Sequence, residues 1–223
     1  MDRKITEDEI KGLAQQLRKP EGNLGLEVGQ RMNEGNRPMN LHTLAVLNPE
    51  PFDNILEIGM GNGLFVKNIL MMDNSIHYTG CDYSELMVNE SMNTNKKFVD
   101  EGRATFIRAD IAEAPFPGHS FNKIFTINTL YFWQDPASTL KELKRVLAPG
   151  GNLIISVRPK HNMLQFPVTK YGFTLYAKDE IISLLEANGF TPKEITEIKE
   201  PPQEVWGQLM ERETLVINSQ LKS

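Results

Sequence analysis

Ile55-Leu56-Glu57-Ile58-Gly59-Met60-Gly61-Asn62-Gly63-Leu64-Phe65 is the stretch that decides how this chain folds. A short apolar run leads into a turn with three glycines, and a helix-forming run follows. Glycine tolerates left-handed backbone and lets main chain approach a ligand with no Cβ in the way. A second apolar run ends further on in Gly80-Cys81-Asp82-Tyr83-Ser84. A strand, a glycine turn, a helix and then a carboxylate closing the next strand make a seat for an adenosine-containing ligand. The same glycines would also serve a plain tight connection, so the flanking pattern has to discriminate.

Outward from that turn the pattern alternates. Strands are expected over 54–58, 76–81, 104–109, 123–128 and 152–157, with helices over 64–72, 84–99 and 138–147 and a Pro149-Gly150-Gly151 turn before the fifth strand. A helix over 178–188 ends at Gly189, placed as its C′ glycine. Strands over 193–200 and 213–221 close the chain, joined through Pro201-Pro202 with no helical period between them. Short, almost wholly apolar strands separated by helices indicate a parallel sheet covered on both faces, and the last pair reads as an antiparallel edge. Upstream, Thr6-Glu7-Asp8-Glu9 forms a capping box for a helix ending near Lys19-Pro20. A second helix is expected from about Asn36, with Pro38 in its first turn, to Pro49. The expected class is α/β: a doubly wound, mostly parallel seven-stranded sheet with an antiparallel last strand and an N-terminal helical lid over 1–50. The main domain spans 51–223, and the polar, aromatic segment 158–177 is long enough for an acceptor-site insertion.

The totals bound the function. The chain has 223 residues, a formal charge of −5, 40% hydrophobic and 24% charged residues, and one cysteine. That length suits one large domain. The acidic balance disfavours a polynucleotide partner. One cysteine leaves no internal disulfide and no cysteine metal cluster, so no metal is expected. No apolar run is long enough to span a membrane. The polar start is unlike a secretory signal, and a cytoplasmic location is expected.

The dinucleotide fingerprint needs a third glycine at 64, where this chain has Leu. The ordered set resembles instead the class I S-adenosylmethionine-dependent methyltransferases, over about residues 50–200. Its members here are Glu57-Ile58-Gly59-Met60-Gly61-Asn62-Gly63, the carboxylate Asp82, Asp110-Ile111 after the third strand, the strand Phe121–Tyr131, and the helix–turn–strand from Leu140 to Ile155. The resemblance implies S-adenosyl-L-methionine as cofactor. It places the methionine portion against Gly59, Gly61 and Gly63, with a helix N-terminus adding a favourable dipole for its carboxylate. Asp82 would accept from both ribose hydroxyls, with Tyr83 and Met87 as walls for adenine. Asp110 would accept from the adenine amino group and the Ile111 N–H meet a ring nitrogen. The Asn128 carbonyl would face the methionine amine. Glu57, a carboxylate inside an apolar run, needs a partner. Asp82 could instead be an N-terminal helix charge, and Asp110 a turn cap. Asn122 stands where many relatives carry Asp, which removes any carboxylate role there.

Methyl transfer from a sulfonium is an in-line displacement in which alignment carries much of the work. Asn128-Thr129-Leu130-Tyr131 lacks the two prolines of DNA amino-methyltransferases, and Cys81 is misplaced for a cytosine-carbon nucleophile. The resemblance points to a small-molecule acceptor and to the ubiquinone/menaquinone-type branch. Tyr131, Phe132 and Trp133 after the fourth strand, and His161, Phe166, Tyr171, Phe173 and Tyr176 in the insertion, are acceptor-pocket candidates or simple packing. His161 and Tyr131 are the catalytic candidates, His161 as a base. Asn33, Asn36 and Arg31, in an amide-rich stretch, could meet the methionine carboxylate or the acceptor. Two other readings stand beside this one: a nicotinamide-dependent oxidoreductase, and a cofactor-binding regulatory protein without turnover.

Overall fold

A computed structural model describes residues 5–205 and 207–222. Seven strands form one sheet in the order β3-β2-β1-β4-β5-β7-β6. They are β1 (Asn54–Ile58), β2 (His77–Asp82), β3 (Ala104–Arg108), β4 (Phe121–Ile127), β5 (Leu147–Val157), β6 (Phe190–Val205) and β7 (Gln208–Leu221). The pairs β1–β2, β2–β3, β1–β4 and β4–β5 are parallel, whereas β7 runs antiparallel to both β5 and β6. The strand order turns back at β1, between β2 on one side and β4 on the other. That switch point opens a crevice at the carboxyl ends of the strands.

Helices cover both faces. One core gathers Leu56, Ile58, Leu153 and Ile155 with Leu140 and Leu143 of α7 (Pro136–Val146) and Ile181 and Leu185 of α9 (Lys178–Ala187). The other gathers Ile55, Tyr78, Phe125 and Ile154 with Met39 and Leu47 of α3 (Arg37–Leu47) and Ile69 of α4 (Val66–Leu70). Burying one such side chain contributes about 1.5–3 kcal/mol.

The N-terminal part holds one helix more than expected. The Thr6 capping box forms, with the Glu9 N–H donating to Thr6 Oγ1 at 3.3 Å and the Thr6 N–H to Glu9 Oε2 at 2.8 Å, and α1 spans Glu7–Arg18. Between α1 and α3 lies α2 (Gly22–Gly35). Its glycines hide it from a propensity reading, yet they are what lets it dock. A Cβ at Gly25 would lie 2.8 Å from the Pro20 carbonyl carbon, and one at Gly29 would lie 3.3 Å from Met87 Cε.

Several boundaries shift. The closing strands run longer than expected, β6 through Pro201-Pro202 to Val205 and β7 from Gln208. The helix expected over 84–99 breaks into α5 (Glu85–Thr94) and α6 (Lys96–Asp100). Between them, Asn95 turns its amide onto the Gly63 carbonyl at 2.9 Å and the Ser91 carbonyl at 3.0 Å. Pro149-Gly150-Gly151 lies within β5, with a register shift against β4 between Phe121 and Lys123. Segment 158–177 contains a short helix α8 (Lys160–Met163) and a 3₁₀ turn (Pro167–Lys170). Asn122 sits at the end of the sheet away from the crevice, where it accepts from the Asn54 N–H at 2.7 Å and donates to Asp53. An aspartate there could not make the second bond.

Candidate active site

The crevice above β1 and β4 holds a cavity of about 350 Å³. Its floor is the glycine turn. Gly59 has φ +71°, and a Cβ there would stand 2.3 Å from Thr129 Cγ2. Gly61 has φ +58° and faces open space, so main chain borders the cavity directly. Gly63 is not in the cavity wall. A Cβ on it would meet Asn95 at 2.7 Å and Ser91 at 2.9 Å, so the third glycine packs the turn onto α5. This corrects the expectation that all three glycines face the ligand.

Two carboxylates border the turn. Asp82, ending β2, accepts from the Ser84 N–H at 2.8 Å and the Gly61 N–H at 3.2 Å. Burial pushes its pKa up to about 6, against the pull of those N–H groups. Glu57 accepts from the Tyr78 hydroxyl at 2.5 Å. Burial raises it to about 7; the Tyr78 bond opposes the rise and the neighbouring Asp82 adds to it. Among the described residues, Arg18 is the one Lys or Arg in the wall. A wall with desolvated carboxylates and a single cation at its rim fits a ligand that carries positive charge and hydroxyl groups.

The remaining expected cofactor residues converge on the same cavity. Tyr83 lies at its edge, 56% exposed, with Lys19 5.3 Å from the ring centroid. Met87 is buried beneath it. Asp110 accepts from the Ala112 N–H at 3.0 Å and opens the 3₁₀ turn Ile111–Glu113, with Ile111 also in the wall. Asn128, just past β4, takes a left-handed backbone with φ +58°. Its amide donates to Asn36 Oδ1 at 3.2 Å.

Neither catalytic candidate reaches the cavity. Tyr131 is 3% exposed, and its hydroxyl is enclosed by the Arg158 backbone, accepting from its N–H at 2.5 Å and lying 2.9 Å from its carbonyl. The same hydroxyl lies 3.2 Å from Asn128 Oδ1. Burial pushes its pKa well up, so it is a structural donor rather than an acid or base. His161 lies outside the wall with a side chain 67% exposed, and its Nε2 is 2.8 Å from Glu213 Oε2. Segment 158–177 backs the wall instead of lining it: Phe173 packs on Phe132 with centroids 4.7 Å apart, and the Tyr171 hydroxyl donates to Glu7 at 3.0 Å. The other wall comes from α1, α2 and α3, through Leu17, Arg18, Met32, Asn33, Asn36 and Asn40.

A family model described as a methyltransferase domain matches residues 56–155, which hold the glycine turn, Asp82, Asp110 and Asn128. That match, with the relatives below, supports a class I S-adenosylmethionine-dependent methyltransferase. This methyltransferase is 28% identical over 133 residues to the uncharacterized methyltransferase YdaC of Bacillus subtilis (strain 168), covering 60% of this chain and 71% of that one. It is 24% identical over 196 residues to an O-methyltransferase of Pyrenophora dematioidea, covering 82% and 70%. Its fold is similar to one solved in a complex of the Haloferax volcanii Trm112 activator with a methyltransferase. There the TM-score is 0.76 at 19% identity, over 87% of this chain and 93% of that one. Among the described residues of this methyltransferase, no helix is long and apolar enough to cross a membrane.

A sequence reading misses the Arg158–Glu200–Arg212 cluster behind the site. Glu200 accepts from Arg158 at 3.1 and 3.3 Å and from Arg212 and Thr214. Arg158 also donates to the Gly35 carbonyl at 3.3 Å, fixing the break between α2 and α3. The three charged residues are far apart in the chain, so no local spacing announces them.

Proposed function

We propose that this methyltransferase transfers a methyl group from S-adenosyl-L-methionine to a small-molecule acceptor by in-line displacement. The observation that carries the reading is Asp82. It is a desolvated carboxylate at the end of β2, tied to the glycine turn through Gly61 and to α5 through Ser84. In this assignment Asp82 accepts from the ribose hydroxyls, Asp110 and Ile111 meet the adenine edge, and Tyr83 and Met87 flank its ring. Gly59 and Gly61 admit the methionine portion, Glu57 lies beneath it, and the Asn128 carbonyl faces the amine. When bound, the cofactor supplies an activated methyl group on a positively charged sulfur. The protein's own residues then align the acceptor and exclude water, with alignment contributing on the order of 7–11 kcal/mol.

We assign the acceptor to the corner formed by the α2–α3 break and the segment after β4, where Asn36 meets Asn128 and where Phe132 and Trp133 supply apolar wall. Helices α1–α3 act as the cap over this corner. The cavity of about 350 Å³ favours a small acceptor over a polymer, as does the net charge of −5 against nucleic acid. The Pyrenophora O-methyltransferase supports oxygen as the acceptor atom; a cytoplasmic location remains part of the proposal.

Isothermal calorimetry with S-adenosylhomocysteine and NAD tests the cofactor half. Binding of the thioether nucleoside and none of NAD is expected, with Asp82→Ala weakening it at least tenfold. NAD binding in its place, or an unchanged affinity in Asp82→Ala, would reject the assignment.

A further inference from the structure

The acceptor corner is built from carboxamides, and at Asn36 the side-chain oxygen is already used. The Tyr131 hydroxyl accepts from the Arg158 N–H, which leaves its proton for Asn128 Oδ1 at 3.2 Å or the Arg158 carbonyl. Asn128 in turn donates to Asn36 Oδ1 at 3.2 Å. The Asn36 backbone carbonyl accepts from the Asn40 amide at 2.9 Å. What remains free at Asn36 is its Nδ2 donor, which has no partner among the described residues. Asn33 beside it likewise makes no side-chain bond. Asn36 therefore presents a donor, and Asn33 beside it an amide that can also donate, a pair that a ligand oxygen can meet.

Among the described residues, the same corner holds no free base. His161 and Tyr131 are outside it, as shown above. Asp135 is in the wall, but both its oxygens are committed to the start of α7. It accepts from the Ala137 and Ser138 N–H groups at 3.1 Å and from Ser138 Oγ at 2.6 Å. Those bonds, the Ser138 side chain first, hold its carboxyl below the usual range, the opposite of what a base needs. Glu57 lies under the glycine turn, on β1, occupied by Tyr78.

We propose that the acceptor is the carboxylate of a small, largely apolar acid, held by the N–H groups of Asn36 and Asn33, and that the product is its methyl ester. The inference rests on the methyltransferase reading above. A carboxylate is already ionised at neutral pH, so no proton has to leave. One of its oxygens forms a bond to the methyl carbon as the carbon–sulfur bond breaks, and that electron pair stays on sulfur. One negative and one positive charge become a neutral ester and a neutral thioether. The free donors match the two carboxylate oxygens, and Phe132, Trp133 and Leu17 supply an apolar wall for the remainder. A phenol or an ammonium group would need a proton taken away, and no described residue of this corner is placed to take one.

The test begins with calorimetry of S-adenosylhomocysteine, because failure to bind overturns the underlying methyltransferase reading. Methyl-tritiated S-adenosylmethionine is then supplied with benzoate, phenylacetate, cinnamate and octanoate in parallel with phenol, benzylamine and thiophenol. Label is expected in carboxylate products that release tritiated methanol in mild base. Asn36→Leu is expected to lower kcat/KM for the methylated acid at least tenfold while leaving the Kd for S-adenosylhomocysteine within twofold. Base-stable label in the phenol, amine or thiol, or no label in any acid by protein that binds S-adenosylhomocysteine, overturns the carboxylate assignment alone. A tenfold loss of S-adenosylhomocysteine affinity in Asn36→Leu also overturns it, because the donors would then serve the methionine carboxylate.

Discussion

Glu57 is ionised at a cost. Its pKa is raised from 4.5 to about 7, chiefly by burial. Below pH 4.5 it is protonated in the folded and unfolded chain alike, and this stabilising difference is fully present. Between that value and about 7 the unfolded chain ionises while the folded chain holds its proton, so stability falls as pH rises and levels off above 7. The shift corresponds to on the order of 3 kcal/mol. Glu57→Gln keeps an oxygen for the Tyr78 hydroxyl and removes the titration. Its stability relative to the parent is expected to rise from pH 5 to pH 8 in urea titrations; a constant offset would contradict the assignment. Gly59 makes a steric prediction. Gly59→Ala drives a methyl group into Thr129 Cγ2 and strains a backbone at φ +71°. A lower Tm and a large loss of S-adenosylhomocysteine affinity are expected. Thr129→Ser in the same chain removes the struck methyl and should recover part of both.

At the scale of elements, α7 depends on its cap. Asp135→Ala frees the Ala137 and Ser138 N–H groups and should cost about 1 kcal/mol in chemical denaturation, with little effect on cofactor affinity. The sequence made elements of this kind legible because their signals are local. Thr6 with Glu9, the alternation of apolar runs, and Pro38 in the first turn of α3 each act within a few residues. Where reading failed, the deciding contact came from far along the chain. Helix α2 has poor intrinsic propensity, and it is held by close glycine packing on the Pro20 backbone and the Met87 side chain. Asn95 ends α5 because the Gly63 carbonyl needs a donor. Within the site, the resemblance singled out Glu57, Asp82 and Asp110, and all three line the cavity. Tyr131 and His161 were misjudged for a related reason: chain position after a strand does not show which way a ring turns. In the structure Tyr131 turns into the Arg158 backbone, and His161 turns out to Glu213.

For the molecule as a whole, the Arg158–Glu200–Arg212 cluster ties β5, β6 and β7 to the α2–α3 break. Glu200→Ala would leave two buried guanidinium groups without their carboxylate, with an expected loss of about 3–5 kcal/mol in global unfolding. The loss should appear in the cap and the sheet together, read by hydrogen exchange at α2 and at β7; protection lost at one alone would show that the cluster does not couple them. Cys81 is the chain's one cysteine, 1% exposed in the cavity wall, with its thiol pushed up to about 12 chiefly by burial. A thiol so placed is inert while the wall is closed. A chromogenic disulfide reagent should therefore time the opening of the cavity in the unaltered protein, and saturating S-adenosylhomocysteine should slow that clock. Cysteines introduced on the surface would react first and alone, so fluorophores can be attached there without removing the native one.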